Sequence, residues 1–160
     1  MSFKATISVG GKTFDLIYCD SQLEQEFDSN NRPISGVVGG RIRVILDGTD
    51  DDTFGSWACD PTKKQDGTIT FYRINQNSKF KEIEFKGAYL MHLVESFIVD
   101  DDIEDVFRTE EYYYAHNEEL RKSYELVRAI QRKTGTSYVI FCQLSAEKVK
   151  IDGLEHDNKW

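Results

Sequence analysis

A chain of 160 residues, 39% hydrophobic and 12% aromatic, can bury one core and is not disordered by composition. A formal charge of −8 repels a phosphate backbone, so nucleic acid is excluded as a favoured partner. The longest apolar runs fall far short of the roughly 20 residues that a spanning helix needs, so membrane insertion is not expected.

Phe3 to Val9 alternates apolar and polar residues, Gly10-Gly11 supplies a two-residue turn, and Phe14, Leu16 and Tyr18 alternate again. This is the pattern of a β-hairpin with a primed turn, whose second strand can run on through Leu23 and Phe27. A polar loop, DSNNRPISG, follows. The stretch GGRIRVILDG predicts a strand with Ile42, Val44 and Leu46 on one face and Arg41, Arg43 and Ile45 on the other. In TDDDTFGSWACDP, Pro61 stops a short helix capped by an Asp or Thr, with Trp57 plugging the β core. DGTITFYRI gives a strand carrying Ile69, Phe71 and Arg73 on one face. FKEIEFKGAYLMHLVESFIV is strand-like throughout, with a bulge or bend at Gly87.

Thr109 to Gly135 breaks the β pattern. Thr109 is a fair N-cap, Glu110 and Glu111 fall in the first turn, Arg132 and Lys133 in the last, and Gly135 is placed to close the helix. Tyr113, Leu120, Tyr124, Val127 and Ile130 recur on one face, and Glu118 precedes Lys122 by four. The last strand is expected over TSYVIFCQLSAEKVKIDG. Together these predict a mainly β, single domain over residues 1–160: a compact antiparallel barrel or sandwich with one short helix and one longer inserted helix at about 101–135.

No reactive centre emerges. GGKTF at Gly10 to Phe14 echoes the end of a phosphate-binding loop, but position 6 is Thr6 where the motif needs glycine, and alternation continues on both sides. His92, His116 and His156 lack metal-ligand spacing. The runs Asp50-Asp51-Asp52 and Asp100-Asp101-Asp102 lack the calcium-loop pattern and read as solvated turns. Cys19, Cys59 and Cys142 are far apart, support neither a disulfide framework nor a zinc site, and are expected as buried free thiols. Neither a cofactor nor catalysis is expected. Tyr112, Tyr113 and Tyr114 span most of a helical turn and read as contact surface. The N-terminus shows no secretory signal, so synthesis and folding in the cytoplasm are expected.

The loop at Asn31 to Gly40 lacks a clustered donor set and no helix follows it, which disfavours anion capture. Pro33 stiffens it, while Gly36, Gly39 and Gly40 allow close backbone approach. It reads as an arm that adds contacts to a neighbouring molecule.

Six stretches in order carry a resemblance: MSFKATISVGGKTFDLIYC, NRPISGVVGG, TFGSWACDP, KKQDGTITFYRI, KEIEFKGAYLMHLVESF and KIDGLEHDNKW. They resemble the Hcp (TssD) family of type VI secretion tube proteins, and most nearly its Bacteroidetes form, over roughly residues 1–99 and 136–160. The resemblance implies a β-barrel whose six copies close into a ring, rings that stack into a hollow tube inside a contractile sheath, a VgrG-type spike at the tip, and small effectors as cargo. It also implies secretion into the medium or a target cell without a signal peptide. The arm Asn31, Arg32, Pro33, Ile34, Ser35, Gly36, Val37, Val38, Gly39 and Gly40 corresponds to the family's ring and subunit contact loop. Tyr112, Tyr113, Tyr114, Leu120 and Tyr124 are contact candidates on the inserted helix, expected to decorate the outer wall or rim before capping a ring face or lining the lumen. A capping or effector-adaptor variant and a small-ligand-binding barrel are the other readings.

Overall fold

The computed structural model describes residues 2–34, 38–76, 78–99, 118–152 and 154–157. The elements run β1 (Phe3–Val9), β2 (Lys12–Glu24), β3 (Val38–Asp47), α1 (Thr53–Cys59), β4 (Gln65–Arg73), β5 (Ser78–Phe97), α2 (Glu118–Thr134), β6 (Tyr138–Ser145), β7 (Lys148–Ile151) and β8 (Leu154–Asp157). All eight strands share one antiparallel sheet in the order β4-β1-β2-β3-β6-β5-β7-β8, and β4 also pairs with β5. The pairing therefore closes on itself through six strands, a barrel-like ring with the β7–β8 hairpin attached.

The β1–β2 turn forms as the sequence predicts. Gly10 and Gly11 take φ of +62° and +75°, both in the left-handed region that a primed turn requires, and Val9 pairs with Lys12. Alternation then sorts side chains by face. Ile7, Val9, Ile42, Val44, Leu46, Ile69, Phe85 and Leu144 fill the barrel interior together with Phe54 and Trp57 of α1. Burial of this apolar surface supplies the main drive to fold.

Helix α1 sits beside the β1–β2 turn. The Phe54 ring meets Phe14 edge-on at 5.0 Å between centroids, and the Trp57 indole N–H donates to the carbonyls of Lys63 and Ala88 at 3.1 and 3.2 Å. The cap is arranged one residue earlier than a simple N-cap. Asp52 makes no side-chain capping bond. Instead, Asp51 Oδ1 accepts from the Thr53 amide at 2.8 Å, while its Oδ2 takes the Lys12 ammonium at 2.6 Å.

The expected single strand over residues 136–153 is split. β6 and β7 both run along β5, but the ladder breaks at Ala146–Glu147, opposite the bend at Gly87. Gly87 has φ +60°, and the Glu147 amide donates to the Lys86 carbonyl at 3.0 Å. A Cβ on Gly87 would lie 2.8 Å from the Glu147 carboxylate, so the break and the glycine belong together. The chain then turns at Asp152, φ +49°, and returns as β8, which pairs Leu154 with Ile151.

A second, smaller cluster lies outside the barrel. Ile45, Phe141 and Val139 point away from the interior and meet Val127 of α2, with Ile17, Tyr18, Val94, Leu126 and Ile130 around them. An irregularity between Leu16 and Tyr18 in the β2–β3 ladder helps bring Ile17 and Tyr18 to this cluster. Helix α2 thus covers the outer wall of the barrel over β3 and β6. Gly135 ends it at φ +67°, its amide bonding to the Gln131 carbonyl at 2.9 Å. The predicted helix start at Thr109, with Glu110 and Glu111, lies outside the described residues.

Among the cysteines, Cys142 is buried and Cys19 half-buried, but Cys59 is exposed, contrary to the expectation for all three. Cys59 is the last residue of α1, one helical step past the face that Phe54 and Trp57 bury.

Candidate assembly surfaces

The arm begins before Asn31. Past Glu24 the chain turns back on itself, Phe27 bridging to Pro33 and the Ile34 amide donating to the Glu26 carbonyl at 2.8 Å. Asp28 staples the tip. Its Oδ1 accepts from the amides of Asn30 and Arg32 at 2.8 and 2.9 Å, and its own amide donates to the Arg32 carbonyl at 2.9 Å. Asn31 takes φ +60°, which asparagine tolerates better than most residues. Apolar side chains stand out along this finger: Phe27 is 59% exposed, Ile34 62% and Leu23 48%. Such exposure costs free energy in a lone chain.

Of the predicted arm, Asn31, Arg32, Pro33 and Ile34 lie on this finger. Ser35, Gly36 and Val37 lie outside the described residues. Val38, Gly39 and Gly40 instead open β3, and Gly40 is buried with φ +82°, its carbonyl accepting from the Ala146 amide at 2.8 Å. The second strand, expected to run through Leu23 and Phe27, does include Leu23 but ends at Glu24, and Phe27 lies in the fold-back. The Asx-turn signal at Asp28, before Ser29, Asn30 and Asn31, marks the fold-back.

At the other end of the β3–β6 ladder, Phe97 and Val99 are 66% and 81% exposed. Beside them lies a recess of about 200 Å³ lined by Ile98, Val99, Arg128, Gln131, Arg132 and Gly135. A third exposed group, Phe3, Ile74 and Phe80, surrounds the start of β1. The Phe3 and Phe80 rings meet tilted, with 5.1 Å between centroids, and the Arg73 guanidinium lies 4.8 Å over Phe80.

On α2, Tyr124 is half-buried and Leu120 lies in the helix with its side chain outside the described residues, as are Tyr112, Tyr113 and Tyr114 altogether. His92 is a half-buried residue of β5, and His116 falls outside the described residues. Gly10 to Phe14 form a strand turn and not a phosphate loop. Among the described residues, no three His, Cys, Asp or Glu side chains gather to hold a metal ion, and no helix is long and apolar enough to cross a membrane. Burial pushes the Cys19 thiol up to about 12 and that of Cys142 upward as well, which leaves both as poor nucleophiles. On the outer wall, Arg43 holds Asp20 through Nε at 3.0 Å and a second guanidinium nitrogen at 2.5 Å, and the Tyr18 hydroxyl donates to the same carboxylate. This is a fixed polar brace between β2 and β3.

The family model for hemolysin coregulated protein Hcp (TssD) matches residues 1–109. The chain belongs to the Hcp (TssD) family. Among solved structures, Hcp1 from Flavobacterium johnsoniae superposes with a TM-score of 0.71 at 23% identity, covering 97% of this chain and 99% of that one. Hcp1 from Salmonella typhimurium gives 0.60 at 9% identity, covering 94% and 86%. At these identities the likeness is one of fold. No curated protein matches the chain. Hcp proteins are structural, secreted components of the type VI secretion tube, and this chain is a tube subunit of that family. The family assembles as rings and tubes.

Proposed function

We propose that six copies close into a ring and that rings stack into the hollow inner tube, with the finger at Asn31 to Ile34 making contacts between copies. The observation that carries this reading is the stapled finger bearing Phe27 and Ile34 in solvent. A ring of identical chains needs two different patches that meet, and the finger supplies one of them. The packed barrel interior, filled from Ile7 to Leu144, disfavours a small-ligand carrier.

In this reading the tube stands inside a contractile sheath beneath a VgrG-type spike, carries small effectors in its lumen, assembles in the cytoplasm and leaves without a signal peptide. Each ring bears six times the chain's −8, so stacking depends on ionic strength. Light scattering on the purified chain tests the ring: a mass near six times the monomer is expected. Deleting residues 33–38 is expected to leave folded subunits with weakened stacking by electron microscopy. Unchanged tubes from that variant would reject the role of the finger, and a chain that stays monomeric at every concentration and salt would reject the ring.

A further inference from the structure

We propose that α2 is a strap that peels from the outer wall as a unit while the barrel behind it stays closed. It pivots at Gly135, and Val127 and Gln131 hold it shut. The proposal concerns a single subunit and stands apart from the ring reading.

The molecule has two apolar clusters that share no residue. Among the described residues, the barrel interior from Ile7 to Val149 includes none from α2. The outer cluster joins Val127 to Ile45, Val139 and Phe141, with Leu126 and Ile130 packed around them. Beneath the helix, β6 has β3 on one edge and β5 on the other, so no rung of its ladders depends on α2. Lifting the helix gives up the small cluster and leaves the large one intact.

The helix's own share of that contact is mostly polar. Ser123, Arg128 and Gln131 are buried beside Val127, the one apolar residue of α2 with no exposed surface among those described. Gln131 bonds to Ser96 and to the Ser137 carbonyl. Polar groups recover hydrogen bonds to water on exposure, and a guanidinium recovers its hydration, so their net hold is weak beside that of buried apolar surface.

Contact also thins along the helix. Under Leu126 to Ile130 the wall presents Ile45, Phe141 and Val94, which are cross-strand neighbours. Further toward the start of α2, the neighbouring pair on the wall is Arg43 and Gln143. Here helix and wall part around a cleft of about 440 Å³, with Glu118, Lys122 and Ser123 on one side and Gln22, Arg43 and Gln143 on the other. A polar cleft of that size is a ready entry for water beneath the leading half of α2. At the other end, Gly135 at φ +67° opens a link of three residues before Tyr138, and its backbone freedom suits a pivot.

Hydrogen exchange on the full chain, read by peptide mass spectrometry, tests the strap. Peptides spanning Ser123 to Gln131 are expected to exchange at least ten-fold faster than those of β3 and β6. Ile69→Val loosens only the barrel interior. It is expected to speed the slowest β3 and β6 amides about five-fold, since these open with the whole barrel, and to leave the α2 rate unchanged. Val127→Ala, or Leu126→Ala should that variant not fold, is expected to speed α2 about ten-fold. An α2 as slow as β6, or one that Ile69→Val speeds by the same factor as β6, would overturn the proposal, because helix and barrel would then open together. An α2 rate untouched by the Val127 and Leu126 variants would overturn it as well.

Discussion

Gln131 of α2 clasps Ser96 of β5 from both sides of its amide. Its Nε2 donates to the Ser96 carbonyl at 3.1 Å, and its Oε1 accepts from the Ser96 hydroxyl at 2.9 Å. The same Nε2 reaches the Ser137 carbonyl at 3.2 Å. Gln131 and Ser96 are both buried, so removing the amide strands their partners away from water. Gln131→Ala is expected to cost about 1–3 kcal/mol by urea unfolding. Faster amide exchange in the last turns of α2 than in the barrel is the accompanying signature.

Gly48 lies under the Tyr138 ring, where its amide donates to the Tyr138 carbonyl at 3.0 Å. A Cβ there would fall 1.9 Å from the ring, and one on Gly67 would fall 2.6 Å from the Ser8 carbonyl oxygen. The ring can swing aside, but the backbone at Ser8 is held in the β1–β4 ladder. Gly67→Ala is therefore expected to be the more damaging, by about 1–3 kcal/mol, with Gly48→Ala milder. Melting temperatures of the two variants check the order.

The Asp51 carboxyl is held down to about 2, first by the hydrogen bond from Lys12 and then by those from Thr53. Its folded value lies below the ordinary 3.8, so it adds stability above pH 3.8 and loses it as pH falls from there toward 2. Asp51→Asn removes that contribution. Its stability is expected to change less between pH 5 and pH 2 than the wild type's, which a melting series across that range reads directly.

Cys59 is exposed, while Cys19 and Cys142 are sheltered and their thiols pushed up by burial. A thiol reagent at pH 8 is expected to label one site rapidly in the folded chain and all three in denaturant. Peptide mass mapping should place the fast site at Cys59.

Much of this architecture is legible in the residues. The Gly10-Gly11 turn, the two faces of β3, the bend at Gly87 and the close of α2 at Gly135 each rest on local rules that the tertiary fold leaves alone. The split between β6 and β7 is not legible. Val149 continues the alternation past Ala146–Glu147, and only the facing Gly87, more than fifty residues away, reveals the break. The β7–β8 hairpin carried a signal that went unread, since Asp152-Gly153 between Ile151 and Leu154 is a strong turn pair. The fold-back after Glu24 is not legible either, because Leu23 and Phe27, four residues apart, read as more strand, whereas the turn depends on Asp28 bonding to amides beyond it. The recess at α2 has no sequence signature. Its lining comes from the two residues just past β5, from α2 and from the turn before β6, which only folding brings together.

The Asp28 staple has a consequence for how the subunit meets its neighbours. Ordering a floppy loop at the moment of docking would cost about 1–2 kcal/mol per residue in backbone entropy. A finger already set by its own hydrogen bonds has met most of that cost during folding, so association starts from a shaped probe and not from a fluctuating tether. Asp28→Ala is expected to leave the barrel's melting temperature nearly unchanged while slowing tube growth. Growth at the wild-type rate would show that docking itself imposes the finger's shape.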